Sequence, residues 1–272
     1  MPSPTEITVT QLSRLIGIRG SPAFIDVRDE DDYPADPRLI PGSLHLDYRT
    51  TPSWAQRFAG RSAVVICQKG LKLSQGVAAL LRVEGIPAET LEGGFLAWRE
   101  AGQMLANPVK LPPRDSAGRT TWVTRARPKI DRIACPWLIR RFVDPEAVFL
   151  FVAPSEVLAT AEHFMASPFD VEKVFWSHRG EKCTFDTMVE EFGLSSPAMD
   201  RLALIVRGAD TARPDLAPES AGLLAASLGY SRMYKDDLAQ LEASMTLYDA
   251  LYRWCRDAQG EGHDWPAPKA AS

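Results

Sequence analysis

The chain has 272 residues, of which 45% are hydrophobic and 24% are charged, a composition typical of globular domains. This length accommodates two domains of ordinary size. The formal net charge of −4 argues against a whole-molecule attraction to nucleic acid, so nucleic acid is not an expected partner. The four cysteines are widely spaced, which argues against a disulfide scaffold and against a four-thiolate zinc site.

The composition also predicts where the protein resides. Its first residues are polar and contain proline, without the basic and then apolar pattern of a signal peptide. No apolar run approaches the roughly 20 residues that a helix needs to cross a bilayer, so we expect no membrane contact. With separate, reduced cysteines, the sequence predicts a cytoplasmic protein.

Short β-branched segments alternate with helical segments in the first part of the chain. The predicted strands cover residues 23–27, 63–66 and 89–91, and the predicted helices cover 73–83 and 96–101. This alternation predicts an α/β domain over residues 7–106, in which helices flank a parallel sheet. Prolines followed by polar residues predict a linker at 107–120.

Residues 121–258 are predicted to form a mostly helical α+β second domain. The predicted strands cover 121–124, 148–152 and 173–176, and the predicted helices cover 136–143, 155–165, 199–206, 220–227 and 236–256. In the last of these helices, apolar residues recur every three or four positions along one face. Residues 259–272 are rich in proline, glycine and alanine, which predicts a flexible tail.

Cys67 opens a six-residue loop, residues 67–72, between a predicted buried strand and a predicted helix. Such a loop lies at the carboxyl edge of a parallel sheet, where ligands bind. Curled backbone N–H groups and a helix N-terminus favour a nucleophilic thiolate at this position. Lys69 and Lys72 add positive charge for an anionic sulfur donor, and Gly70 supplies the conformations that a tight loop requires. A buried structural thiol is the alternative interpretation.

Residues 7–103 resemble the rhodanese-type sulfurtransferases. The resemblance lies in four motifs, in the order of that family: Asp26-Val27-Arg28, Ile40-Pro41-Gly42-Ser43, the Cys67 loop, and Leu91-Glu92-Gly93-Gly94. It implies a catalytic cysteine that accepts a sulfane sulfur as a persulfide and passes it to a thiol acceptor, with no cofactor required. The lysine two positions after the cysteine is similar to that of thiosulfate-using members.

A run of basic residues opens the second domain. Its members are Arg125, Arg127, Lys129, Arg132, Arg140 and Arg141. Guanidinium groups bind tetrahedral oxyanions through paired hydrogen bonds, which makes Arg127 and Arg132 candidate substrate-binding residues. A solvated basic face is the alternative interpretation. Cys135, which lies within the run, is interpreted as a packed thiol.

His178, Asp186 and Asp210 form a candidate site for a divalent metal. Imidazole and carboxylate are both metal ligands, and His178 and Asp210 lie at the ends of predicted elements. Since no pair has the i, i+4 spacing of a helical metal site, the hypothesis depends on the fold to bring these residues together. Cys183, which lies between them, is interpreted as a core residue.

Residues 121–256 resemble the C-terminal domain of the ChrB chromate-resistance family. The resemblance lies in residues 127–132 and 134–142, then His178-Arg179-Gly180, Gly208-Ala209-Asp210 and residues 248–252. It implies a role in chromate resistance, either in sensing chromate or in aiding its removal. Members that act as chromate-responsive regulators have a different N-terminal region.

Three functions from different classes follow from these patterns. The first is a thiosulfate-type sulfurtransferase linked to chromate resistance, with Cys67 as nucleophile, an anionic sulfur donor and a thiol acceptor. The second is a protein that senses or binds chromate or another oxyanion through the basic run, with the rhodanese domain as a regulatory module. The third gives the second domain its own metal-dependent activity through His178 and Asp210.

Overall fold

The first part of the chain forms a five-stranded parallel sheet in the computed structural model, which describes residues 5–108 and 111–262. The strands are β1 (Glu6–Ile7), β2 (Ala23–Asp26), β3 (Ser43–His45), β4 (Ala63–Ile66) and β5 (Ala88–Leu91). Their order is β1-β5-β4-β2-β3, and every neighbouring pair is parallel. The predicted parallel sheet flanked by helices is confirmed.

Helices cover both faces of this sheet. They are α1 (Val9–Ser13), α2 (Asp32–Ala35), α3 (Thr51–Trp54), α4 (Lys72–Val83) and α5 (Gly94–Glu100). All four residues of β2 and all four of β4 are buried, as expected of central strands covered on both faces. Their β-branched and apolar composition therefore predicts their position well.

The second part of the chain is helix-rich around a three-stranded parallel sheet. The strands are β6 (Thr121–Arg125), β7 (Val148–Val152) and β8 (Ser167–Pro168), in the order β7-β6-β8. The helices are α6 (Asp131–Leu138), α7 (Val157–His163), α8 (Thr184–Glu191), α9 (Pro197–Asp210), α10 (Glu219–Met233) and α11 (Asp237–Arg253). Within the described ranges, no helix combines the length and the apolar character that crossing a membrane requires.

One sequence-based element of the second domain is wrong, and one helix begins earlier than predicted. No strand forms at 173–176, because this segment is a loop in which Lys173 has a φ of 63° and Trp176 makes only an isolated bridge to Phe169. The helix expected at 136–143 begins earlier, at Asp131, and continues through a π-helical turn at Ile139–Val143. Pro136 suggested a helix start, since proline favours the first turn, but it lies inside α6.

The predicted linker is ordered where the structure describes it. The Asn107 N–H donates to the Phe192 carbonyl at 2.8 Å, and Arg114 forms an antiparallel bridge with Thr120. The Arg114 guanidinium also lies 3.3 Å from the buried Asp144 carboxylate. Most of the predicted flexible tail, residues 263–272, lies outside the described residues.

One apolar core extends across both parts of the chain. On the first sheet, Phe24, Val64 and Ile66 face this shared core, whereas the alternate residues Ile25 and Val65 face a separate cluster beneath α4. The second domain contributes large aromatic side chains to the same core, namely Trp122, Trp137, Phe142, Tyr248 and Tyr252. Apolar side chains therefore pack continuously across the domain boundary that the sequence predicts.

Two glycines of the first domain lie close to residues of the second domain. Gly42 donates its N–H to the Phe142 carbonyl at 2.7 Å. Gly17 has a φ of 72°, and a Cβ at this position would lie 2.5 Å from Cζ of Phe142 and 2.9 Å from Cε1 of Tyr252. Gly20 has a similar φ of 76°, but a Cβ there would have no neighbour within 4 Å.

These two glycines provide a matched test of the shared core. Both Gly17→Ala and Gly20→Ala introduce the strain of a positive φ, about 1–2 kcal/mol. Only Gly17→Ala also forces Phe142 aside, so it should lower the free energy of unfolding by about 1–3 kcal/mol more than Gly20→Ala. Urea denaturation monitored by tryptophan fluorescence measures both values. Equal losses in the two variants would contradict this packing.

Candidate functional site

The Cys67 loop lies where the sequence analysis expects it, at the carboxyl edge of the first sheet. Cys67 directly follows β4, and α4 begins at Lys72. The neighbouring strand β2 ends level with β4, since Asp26 pairs with Ile66. In a parallel sheet this edge collects the loops that bind ligands, so the thiol occupies a position suited to chemistry.

The first turn of α5 holds the loop in place. The N–H of Phe95 donates to the Cys67 carbonyl at 2.9 Å, and the N–H of Leu96 donates to the Gln68 carbonyl at 3.1 Å. N–H groups in the first turn of a helix have no partner within the helix. Here they fix two consecutive carbonyls of the loop, so the backbone that carries the thiol is anchored to a second element.

Glycines make this close docking sterically feasible. Gly94 has a φ of 62°, and a Cβ there would lie 2.3 Å from the Cys67 carbonyl oxygen. Gly70 has a φ of 71°, and a Cβ there would lie 2.4 Å from the Leu91 carbonyl oxygen. Both positions combine a backbone conformation that favours glycine with a contact that excludes a side chain. Gly70 is therefore a structural requirement of the loop.

Cys67 lines a pocket of about 340 Å³. Only 4% of Cys67 is exposed, and its Sγ lies 3.1 Å from Oγ of Ser74. The Ser74 hydroxyl is also placed to donate to the Leu71 carbonyl, at 3.2 Å. Because a hydroxyl rotates, it can instead donate to sulfur when the sulfur carries negative charge.

Charges of both signs surround the pocket. Lys69 and Lys72 are exposed at its rim, and the sequence analysis singled out both. Asp29 and Asp32 also line it, and sequence reasoning did not assign them to the site. Burial, followed by the nearby Asp29 carboxylate, raises the pKa of Asp32. The only signal for these two carboxylates was their position just after the Asp26-Val27-Arg28 motif.

Arg28 supports the site from beneath without lining it. Its guanidinium is 2.8 Å from the Asp26 carboxylate, and both side chains are buried. The same group donates to the carbonyls of Asp36 and Arg38, and it stacks 3.7 Å from the ring centroid of Phe95. Arg28 thus ties β2, the following loop and α5 together, which agrees with a structural rather than a chemical role.

The other three cysteines are poor candidates for nucleophiles. Burial, followed by the surrounding carboxylates, raises the pKa values of Cys135 and Cys183 well above the ordinary range. Burial also raises the pKa of Cys255 to about 11. A thiol with a raised pKa carries little thiolate near neutral pH, so these residues are suited to packing.

The predicted oxyanion pair is not supported by the side-chain contacts. Arg127 donates to the carbonyls of Ser231 and Tyr234, at the end of α10. Arg132 donates to the Ala126 carbonyl at 3.1 Å, and its Nε lies 3.3 Å from the Asp170 carboxylate. The two guanidinium groups are therefore engaged by different protein groups, which the spacing of the basic run could not indicate.

Two other arginines of the basic run are also paired. Arg140 forms an ion pair with Glu242, and Arg141 lies 2.8 Å from the Asp249 carboxylate. Both acidic partners belong to α11, far away in the sequence. These members of the run tie α11 to the π-helical turn after α6, so they serve packing between elements.

His178 and Asp210 come together in the second domain, as predicted, but with other partners. Nε2 of His178 lies 3.2 Å from Oδ2 of Asp210 and 3.4 Å from Oδ1 of Asp170. The same nitrogen lies 3.6 Å from Oδ2 of Asp131. We refer to Asp131, Asp170, His178 and Asp210 as the carboxylate–imidazole centre.

Asp186 does not belong to this centre, which corrects the predicted metal set. Its carboxylate lies 2.7 Å from the Arg207 guanidinium and accepts the Cys183 N–H at 3.0 Å, as part of the cap of α8. Asp131 and Asp170 take its place in the centre. The sequence offered little signal for them, because Asp131 lay within the basic run and Asp170 beside a strand too short to recognise.

The fold places the centre at the carboxyl ends of two neighbouring strands of the second sheet. Asp131 opens α6 shortly after β6, and Asp170 follows β8. Asp210 is the last residue of α9, and His178 lies in the loop before α8. Four segments that are remote in sequence thus meet at the sheet edge where α/β proteins bind ligands.

The surroundings of the centre shift the pKa values of its two buried carboxylic acids, Asp131 and Asp170, in opposite directions. Burial, followed by the carboxylates of Asp210 and Asp170, raises the pKa of Asp131 well above the ordinary range. Burial also opposes ionisation of Asp170, but the hydrogen bond from His178 and the charge of Arg132 outweigh it and lower the pKa of Asp170. The carboxylates of Asp170 and Asp210 raise the pKa of His178 to about 10.

Together, the fold and the site define a two-domain α/β protein with a cysteine-bearing loop at the edge of its first sheet. Residues 8–101 match the family model of the rhodanese-like domain. Residues 122–255 match the family model described as ChrB, C-terminal domain. One family model thus matches each domain of the chain, which confirms both resemblances.

Individual proteins show the same two similarities. Protein ChrB from Cupriavidus metallidurans is 29% identical over 197 residues, which are 65% of this chain and 57% of that protein. The chain thus spans less than two thirds of that relative. Among solved structures, a rhodanese-like domain protein from Staphylococcus aureus is 25% identical and covers 35% of this chain and 90% of its own, with a TM-score of 0.31. A thiosulfate sulfurtransferase from Pseudomonas aeruginosa is 25% identical and covers 39% and 20%, with a TM-score of 0.34.

Proposed function

We propose that the chain is a sulfurtransferase that forms a persulfide on Cys67 and acts in chromate resistance. The observation that carries this proposal is the position of the thiol in a pocket that Lys69 and Lys72 also line, 3.1 Å from the Ser74 hydroxyl. The match to the rhodanese-like domain supports the same chemistry. No cofactor is needed for it.

The first step loads the cysteine. The Cys67 thiolate attacks the outer sulfur of thiosulfate, a new S–S bond forms, and the S–S bond of the donor breaks. Sulfite leaves with the electron pair of the broken bond. Lys69 and Lys72 stabilise the dianionic donor and the departing sulfite through their charge. The Ser74 hydroxyl turns to donate to the cysteine sulfur as negative charge develops.

The second step transfers the sulfur from Cys67 to the acceptor. A thiolate acceptor attacks the terminal sulfur of the persulfide, the S–S bond to Cys67 breaks, and the Cys67 thiolate is regenerated. Between the steps the persulfide carries negative charge, which backbone N–H groups of the loop and the N-terminus of α4 would stabilise. The anchoring of the loop on α5 keeps this backbone in place for both steps.

Asp29 and Asp32 bear on the choice of donor. Their carboxylates line the same pocket as the lysines and carry the opposite charge. They oppose binding of a dianion, so the pocket balances attraction against repulsion. We propose that this balance keeps thiosulfate affinity moderate and favours release of sulfite after transfer.

The ChrB C-terminal domain provides the proposed link to chromate. Chromate and sulfate are both tetrahedral dianions, so chromate stress and sulfur metabolism are chemically connected. An oxyanion sensor built on Arg127 and Arg132 is the weaker proposal, because protein groups already engage both guanidinium groups. We also propose a cytoplasmic location, where the thiols of the four free cysteines stay reduced.

Replacement of the nucleophile tests the proposed reaction. Cys67→Ser should lower sulfur transfer from thiosulfate to cyanide by roughly 10³-fold or more, because a serine hydroxyl cannot form the persulfide. Cys255→Ser is the matched control and should keep full activity, since burial holds that thiol in its inert form. Thiocyanate formation measures both variants. Substantial transfer by Cys67→Ser would refute the assignment.

Removal of single charges around the pocket tests the proposed class of donor. Lys69→Ala should raise the KM for thiosulfate about 2- to 5-fold, and Asp32→Asn should lower it by a similar factor, since exposed charges contribute up to about 1 kcal/mol. Both effects should shrink as salt concentration rises. Lys235→Ala, at an exposed position of the second domain, is the control. A KM that moves the same way in both pocket variants would contradict an anionic donor.

A further inference from the structure

We propose that Asp131, Asp170 and His178 bind one divalent transition-metal ion. The ligand atoms of Asp131, Asp170 and His178 lie within 4.8 Å of one another, and Asp210 lies 3.2 Å from the same imidazole nitrogen. The site would supply one nitrogen and two carboxylate oxygens, with the Asp210 carboxylate beside the imidazole. It is separate from the Cys67 pocket, so it does not depend on the proposed sulfur transfer.

The distances in the centre also fit ligands that share one ion. Nε2 of His178 lies 3.2, 3.4 and 3.6 Å from three carboxylate oxygens. One N–H can point to only one of them, and charge-assisted hydrogen bonds are shorter, about 2.7–2.9 Å. Ligands bound to one ion at about 2.0–2.2 Å are separated by roughly 3.0–3.5 Å. The imidazole and carboxylates are therefore spaced as neighbours in a coordination shell.

Asp131 provides an independent observation that points to a ligand. Its carboxylate is fully buried, and Oδ2 accepts the N–H groups of Thr184 at 2.5 Å and Phe185 at 3.3 Å. Within the part of the chain that the structure describes, its Oδ1 has no hydrogen-bond partner. The Oδ2 atom of this carboxylate lies 3.6 Å from Nε2 of His178. A buried carboxylate with an unpaired oxygen beside two further carboxylates is unfavourable, and a cation bound to this carboxylate would offset its charge.

The surroundings of Asp170 resemble a second coordination shell. Oδ1 of Asp170 accepts the Thr184 hydroxyl at 3.0 Å, and Oδ2 lies 3.2 Å from Arg125 and 3.3 Å from Arg132. These contacts fix the carboxylate with Oδ1 toward the imidazole. Groups that orient the ligands in this way are a regular feature of metal sites.

The positive charges of Arg125 and Arg132 restrict which ions the centre can bind. Their charges partly offset the three carboxylates, so the centre is not built to hold a hard cation by charge alone. Calcium and magnesium prefer all-oxygen sites, whereas imidazole favours iron or zinc. The His178 side chain is 42% exposed while Asp131 is fully buried, so an ion would enter from the imidazole side.

Binding of Mn²⁺ to the metal-free, full-length protein tests the proposal. Electron paramagnetic resonance of free Mn²⁺ should show one ion bound per chain, displaced by Zn²⁺ but not by an equal concentration of Mg²⁺. His178→Ala and Asp170→Asn should each weaken binding at least about 10-fold. His163→Ala, which removes an exposed histidine elsewhere, should bind Mn²⁺ like the unaltered protein.

Further controls distinguish loss of metal binding from loss of folding and from loss of sulfur transfer. Circular dichroism of each metal-free variant shows whether it is folded, and Asp131→Asn provides an isosteric variant that should also lose Mn²⁺. Cys67→Ser should bind Mn²⁺ normally, so failure of the sulfurtransferase proposal would leave this one intact. The proposal is overturned if the unaltered protein does not bind Mn²⁺, or if folded His178→Ala binds it equally well.

Discussion

The contact between the π-helical turn after α6 and the first sheet's loops is the packing constraint on which the rest of the structure depends. Phe142 accepts a hydrogen bond from Gly42 through its carbonyl, and its ring lies against Gly17. This contact joins the aromatic residues of the second domain to one face of the first sheet. Burial of apolar surface is the main favourable term in folding, so each domain completes the core of the other.

The shared core positions two polar sites that obey the same topological rule. Cys67 follows β4, Asp131 lies shortly after β6, and Asp170 follows β8, so each site lies at carboxyl ends of parallel strands. The sites are built differently. The thiol is carried by one local loop held by backbone hydrogen bonds, whereas the carboxylate–imidazole centre joins side chains from four remote segments.

This difference explains what could be predicted from the sequence. The buried strands β2 and β4 and the Cys67 loop are local patterns, and their β-branched runs and glycine are readable without the fold. Asp131 and Asp170 could not be found in that way, because their proximity to His178 arises from tertiary packing. Asp186 was a misleading candidate, since its partners Arg207 and the Cys183 N–H are visible only in the structure.

Charge patterns were the least informative part of the sequence. The run from Arg125 to Arg141 suggested an anion-binding surface, but its guanidinium groups pair with acidic side chains and carbonyls of distant elements. Arginine forms such buried and interfacial pairs readily because its planar group donates in several directions. A basic run therefore indicates a binding surface only when its partners within the fold are known.

Whether Cys67 carries the transferred sulfur is tested most directly by peptide mass spectrometry after incubation of the unaltered protein with thiosulfate. We expect one added sulfur atom on the peptide that contains Cys67, and its loss when cyanide is added. The peptides of Cys135, Cys183 and Cys255 should remain unmodified, because burial keeps those thiols protonated. Added sulfur on one of those peptides, or none on Cys67, would contradict the proposed chemistry.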